Sequence, residues 1–555
     1  MKPYLYFATL LCCFSAISCK PSVDNGPVLH PVGLEAVEMS GELAERVQRN
    51  FNRMETELYQ PQQVFWTEEE SGGWPADKEG RTILALVLDG RASAKRKPIY
   101  LDSLIQQLPA HMNSKGYLGT IHSDFVDEQQ LSGHGWLLRG LCEYFQWTGD
   151  SSAIAMAKRI ADNLFAPIED RVDSYPIDPA RREACVGGMS GSAGAVIDGW
   201  RLSSDIGCVF IGMDGLIHYY SINPDPKLRP LIEKLINRFR QIDLTGIKAQ
   251  THASLTAMRG LLRYYGITGD TSLVNTVEER WKVYKIWGMT ENFENYNWFD
   301  RYDTWTEPCA IIDSYMLAVQ LWAITRNPQY LQDAELIYYN AIGATQRDNG
   351  GFGCNKPLGP CFNAMQRNCD EAHWCCTMRG GEGLGRAVEY SCFVSADTVF
   401  LPFYNESAVR IPRLVGMRIA TTYPEGDSVT IEVDSASSPV LALRLPEHMI
   451  VNSLQVNGEN AGYTADKGFA VLNRRLNGGD SITLTYAFEP KAAPVLNSEC
   501  AKLGLAKLMY GPLVMGNPQT KQVLFDHVPT DLRKTADGRI VADGDTLVPV
   551  RDIRF

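Results

Sequence analysis

Cys375 and Cys376 stand side by side in this chain, and Glu307-Pro308-Cys309 lies upstream of them. Three thiols and a carboxylate make a four-ligand set for a borderline-soft divalent cation, above all zinc. Such a cation would hold the thiols as thiolates, the reactive form of cysteine. Successive side chains on a strand point to opposite faces, so adjacent cysteine ligands predict a turn or a helix start. The glycine-rich run Thr377 to Gly385 is read as that turn. Spacing alone leaves a second reading open, in which the pair are buried free thiols or one half of a disulfide.

The elements that must position these residues are helical. Over residues 41–395 the apolar periodicity recurs in units, at Gly133–Asp150, Met213–Asp225, His252–Asp270 and Ala310–Asn327. In each, a mostly apolar inner helix ends at a Thr-Gly-Asp or Asn-Pro turn and an amphipathic helix returns outside it. Repeated inner-outer hairpins predict a mainly α fold, an (α/α)6-barrel catalytic domain. Irregular spacing and long inserts disfavour an open solenoid. The ends of the inner helices would then line a central cavity. From residue 396 the pattern changes to short β-branched runs such as Ser428-Val-Thr-Ile-Glu-Val433, which predicts an antiparallel β-sandwich over 396–555.

Residues 1–18 read as a lipoprotein signal peptide. Lys2 precedes an apolar stretch too short to span a membrane, and Ser15-Ala-Ile-Ser-Cys19 forms the cleavage box. Cys19 would carry the lipid, with 19–40 as a tether, giving an exported protein anchored in the bacterial periplasm or at the cell surface. A net charge of −12 argues against nucleic acid as a partner. Export permits disulfides, and the five cysteines from Cys354 to Cys376 could include one.

A ring of helices followed by a β-sandwich, with Glu-x-Cys and a later Cys-Cys, resembles glycoside hydrolase family 127, the β-L-arabinofuranosidase-like enzymes. Gly116-Tyr-Leu, Gly133-His134, His252-Ala253, the segment Glu291 to Cys309, Thr422-Tyr-Pro, Arg444-Leu-Pro, Gln455-Val-Asn-Gly458 and Tyr510-Gly-Pro carry the likeness in order. The chain departs from the family at Thr377-Met378-Arg379, where Pro-Pro-Asn is usual, at Gly353, and near Val209, where a histidine is missing.

The resemblance implies a retaining exo-glycosidase acting on an oligo- or polysaccharide. Cys375 would be the nucleophile, held by zinc together with Glu307, Cys309 and Cys376. The sixteen-residue step from Glu291 to Glu307 implies Glu291 as acid/base, with Glu294 the neighbouring alternative. His134 and His252 would donate to sugar hydroxyls or else serve as core or capping histidines. His373 and Trp374 would contact sugar, and Arg379 would meet the carboxylate of an acidic furanoside from pectin. A different class of function keeps the same residues: a lipid-anchored glycan-binding protein with a closed, structural zinc site.

Overall fold

The computed structural model describes residues 29–67, 69–182 and 191–555. The signal peptide and Cys19 lie outside these residues. Six inner helices run Asp77–Asp89, Glu128–Thr148, Val209–Ile222, Thr251–Thr268, Pro308–Thr325 and Cys376–Glu389. Each packs on the next and the sixth packs on the first, so the ring closes. The expected (α/α)6 architecture is therefore present.

Sequence explains which helix goes inside. The Thr251–Thr268 helix buries every residue from Thr251 to Leu262, as a helix enclosed on all sides must. The outer Arg229–Arg240 helix buries only the stripe Leu231, Ile232, Leu235, Ile236 and Phe239. Two of the turns between the layers are Thr-Gly-Asp. Gly149 and Gly269 take φ of 73° and 71°, which a side chain rarely adopts, and end the inner helices. Asp150 and Asp270 then accept from the backbone N–H of Ser152 and Ser272 and cap the outer helices. Among the described residues one helix, Pro308–Thr325, is long and apolar enough to cross a membrane, and it is buried inside the ring.

The β region departs from a single sandwich. Strands 398–401, 440–444, 469–472 and 463–466 belong to a six-stranded sheet, and 450–456, 481–487, 428–436, 415–421 and 407–411 to a seven-stranded one. A third sheet is built from strands 490–549. One pair is parallel, with Val440 opposite Thr398, because the chain visits the other sheet between these two strands. The expected tether also changes character from residue 29 onward. His30–Pro31 pairs with 393–394 and Val37–Met39 pairs with 407–409, adding an edge to each of the first two sheets. These strands tie the start of the helical region to the sheets that follow it.

Candidate active site

Both halves of the cysteine-glutamate set arrive at helix N-termini. Glu307 is the N-cap of the fifth inner helix, with Pro308 at its first position and Cys309 in its first turn. Cys375 is the N-cap of the sixth inner helix and Cys376 its first residue. The N-cap backbone is not helical (φ −148°, ψ −61°), which is how adjacent side chains come to one point. The expected helix start is present, whereas the glycine-rich run is not a turn. It lies inside the sixth helix, where a Cβ on Gly380 would meet the Phe352 ring at 2.1 Å and one on Gly383 would meet Ile312 at 2.2 Å. Those glycines let neighbouring elements press against the helix that carries the cysteine pair.

The ligand atoms of Glu307, Cys309, Cys375 and Cys376 lie within 4.8 Å of one another. Cys375 Sγ is 3.3 Å from Cys376 Sγ, which is 3.6 Å from Cys309 Sγ. The ten described cysteines are all free. Burial opposes ionisation of all three clustered thiols. At Cys309, hydrogen bonds from Cys375 and Cys376 and the Arg81 guanidinium, 3.4 Å away, outweigh it and push the thiol down. Cys375 is pushed up by Cys309 and Cys376 together with burial, and Cys376 by burial together with Cys309 and Cys354. The protein alone thus favours one thiolate. A cation is what would allow three, and the donor set of soft sulfurs and a carboxylate fits one.

Above the cluster opens a cavity of about 380 Å³. Cys375 and Glu307 line it, while Cys309 and Cys376 are 0% and 1% exposed. Trp66, Trp74 and Trp374 supply flat walls, and Lys78, Glu79, Asp205, Gln250 and His252 supply polar groups. A small-molecule site with tryptophan faces and a few convergent polar atoms suits a sugar ring.

Two family profiles match this chain: "Beta-L-arabinofuranosidase, GH127 catalytic domain" over residues 206–387, and the "GH127 middle domain" over 398–488. The chain belongs to glycoside hydrolase family 127. Its fold is that of a solved GH127 β-arabinofuranosidase, at 14% identity and a TM-score of 0.65, covering 95% of this chain and 96% of that one. A GH127 β-L-arabinofuranosidase from Geobacillus stearothermophilus T6 is similar at 16% identity, 86% and 81% coverage and a TM-score of 0.59. No curated protein matches the chain. As a family 127 member the protein is a glycoside hydrolase.

The remaining expected site residues of this family 127 chain divide sharply. His252 lines the cavity. Its Nδ1 is 3.4 Å from Glu307 and its Nε2 3.2 Å from Asp313, and the ring stacks on Trp136. Burial would lower its pKa, but the two carboxylates outweigh burial and raise it to about 9. It therefore orients Glu307. Trp374 lines the cavity and is 46% exposed. His373 does not line it, and its carbonyl accepts from Tyr59.

Other expectations are corrected as well. His134 is fully buried, its Nε2 accepting from Leu118 N–H at 2.9 Å and its Nδ1 donating to the Gln130 carbonyl at 2.7 Å. Both ring nitrogens are used by backbone, so it is a core histidine. Arg379 is also fully buried, bound to Asp313 and Glu382 beneath the site, and it does not reach the cavity. Glu291 is drawn away by the third sheet. Its carboxylate accepts from Leu496 N–H and Asn497 N–H at 2.8 Å and pairs with Lys507 at 3.0 Å. That clasp joins the helical ring to the C-terminal strands, which no spacing within 291–307 could reveal. Glu294 is buried too, held by Asn355 at 2.8 Å, and burial raises it to about 7. Neither glutamate lines the cavity.

Glu291→Gln is accordingly expected to keep turnover while losing about 1–3 kcal/mol of stability, because Lys507 stays buried without its counter-charge. Denaturant melts alongside kinetics check this, and adding Lys507→Met should restore part of the loss. No motif in the chain marks Lys78, Glu79, Asp205 or Gln250 as cavity residues. They sit just before or at the start of helices, and only the tryptophans at 66 and 74 hint at a binding surface there.

Proposed function

We propose that this protein is a retaining exo-glycosidase in which Cys375 attacks the anomeric carbon, with zinc held by Glu307, Cys309, Cys375 and Cys376. The observation that carries this reading is the exposure pattern of the cluster. Of three thiols, only Cys375 lines the cavity. Zinc, when bound, would hold the thiols ionised near neutral pH. The Cys375 sulfur then forms a bond to C1 as the bond from C1 to the leaving oxygen breaks, giving a thioglycosyl enzyme. Water displaces the sulfur in the second step, which accounts for retention.

A proton must reach the leaving oxygen. We assign that role to Glu79, which lines the cavity and is 4% exposed. Burial, reinforced by Asp77, pushes its carboxyl up to about 8, so it carries a proton at neutral pH. Glu79→Gln should lower kcat/KM about 10²–10⁴-fold on a sugar with a poor leaving group. Activity in the wild type should fall as pH rises past that pKa, because the acid loses its proton, and the variant should lose this limb. Equal loss on an activated aryl glycoside would exclude the role.

The substrate follows from the relatives, named as a β-arabinofuranosidase and a β-L-arabinofuranosidase, and we take a β-L-arabinofuranoside as first choice. Lys78 supports a second reading. Lys78 lines the cavity, and its ammonium bonds the Gln63 carbonyl and lies 3.7 Å from the centre of the Trp66 ring. It would pair the carboxylate of an acidic pectic furanoside, in place of the buried Arg379. Assay of neutral arabinofuranosides against acidic pectic oligosaccharides decides between them, and absence of turnover on both would favour a binding protein. We also propose export and a lipid at Cys19, on the sequence of residues 1–19 alone.

A further inference from the structure

A second thiol pair lies behind the cysteine-glutamate cluster. Segments 352–355 and 367–372 run antiparallel, with Asn355 opposite Arg367. The Cys354 carbonyl accepts from Asn368 N–H at 2.9 Å and Cys369 N–H at 3.2 Å, and Cys354 N–H points at Cys369 Sγ at 3.2 Å. Arg347 Nη2 donates to the carbonyls of both cysteines, each at 3.1 Å, and clamps the two backbones together. Cys354 and Cys369 each shift the other's thiol, and Cys354 also shifts Cys376.

We propose that Cys354 and Cys369 are a redox-active dithiol that closes to a disulfide beside the Cys376 ligand. Backbones already within hydrogen-bonding distance meet the close approach a disulfide demands. Cys369 is the half-buried, attacking sulfur. The Cys354 hydrogen bond outweighs burial and, with the Cys354 N–H and Arg347, brings its pKa down to about 6. The oxidant is a small-molecule disulfide such as oxidised glutathione. The Cys369 thiolate attacks one of its sulfurs and releases one glutathione thiolate. Cys354 then loses its proton, attacks the Cys369 sulfur and expels the second, so the protein loses two electrons and glutathione disulfide gains them. Resting on the metal reading above, the closed bridge withdraws the Cys354 sulfur from beside Cys376 and leaves the cation its four ligands.

The test incubates full-length protein supplied with zinc in graded oxidised and reduced glutathione. Open thiols are alkylated after chelation and denaturation, and intact mass and chymotryptic peptides are read. Cleavage after Phe352, Phe362 and Trp374 separates Cys369 from Cys375. Wild type and Cys361→Ser should each lose two alkylation sites, with peptide 353–362 linked to peptide 363–374. Cys369→Ser should lose none, and Cys354→Ser at most one, as glutathione left on Cys369 with nothing to expel it. In the wild type, a full thiol count after oxidation, a bridge that includes Cys375 or Cys376, or glutathione left on Cys369 would overturn the proposal. Zinc content on the same samples separates the two readings: a bridge without zinc sinks the metal site and leaves the dithiol standing.

Discussion

Cys375→Ala is expected to abolish turnover, by about 10⁴-fold or more, the scale on which removing a nucleophile acts. Cys309→Ala and Glu307→Gln should fall comparably by another route, through loss of the metal. The two routes separate on metal content. Cys309 is sealed in the floor, so its replacement costs a ligand without touching the sugar. Cys375→Ala keeps three donors and the cavity, so a slowly hydrolysed sugar should still bind it. A second discriminant is the intermediate: mass spectrometry of enzyme quenched with an activated substrate should find one glycosyl unit on the peptide that starts at Cys375. Retained turnover in Cys375→Ala, or a glycosyl group on any other residue, rejects the mechanism. Extraction of the metal with a chelator should reproduce the activity loss and zinc should restore it.

Arg379→Met should cost about 3–5 kcal/mol of stability, the loss expected when one partner of a buried ion network is removed. Beneath the cavity three arginines meet three acids. Arg139, Arg259 and Arg379 face Asp214, Asp313 and Glu382, and all six are at most 2% exposed. Asp313 accepts from Arg259 at 2.5 Å, Arg379 at 2.6 Å and Thr256 at 2.7 Å. Arg263 and His252 also reach Asp214 and Asp313, so deleting Arg379 leaves Asp313 and Glu382 each one buried counter-charge short rather than unpaired. Asp313 also holds His252, which holds Glu307. The variant should therefore bind metal more weakly as well as melt earlier. Denaturant midpoints and metal titration check both, and a variant with wild-type values in both would show the network to be dispensable.

The ring of helices is legible in the amino-acid order because burial imposes a pattern on sequence. Inner helices are apolar on every side, outer ones on a stripe, and Thr-Gly-Asp punctuates the turn between them. The cysteine-glutamate set is legible for a related reason: donor identity is chemical, and Glu307-Pro308-Cys309 and Cys375-Cys376 are each local. Arg379 and His134 depart from expectation because a decisive partner of each, Asp313 and the backbone at Leu118, comes from another element. The glycine-rich run resembles a turn because glycine also serves close packing, and which use applies depends on what lies opposite.

The sequence by itself determined the family, the closed helical ring and the four donor residues, since each is written in short-range pattern or side-chain chemistry. Only the tertiary structure decided which sulfur meets the cavity, that Glu291 is claimed by Lys507, and that Glu79 and Lys78 line the cavity while Glu291 and Arg379 do not. Those outcomes depend on where remote segments converge, and burial and charge pairing at a convergence are set by neighbours far away along the chain.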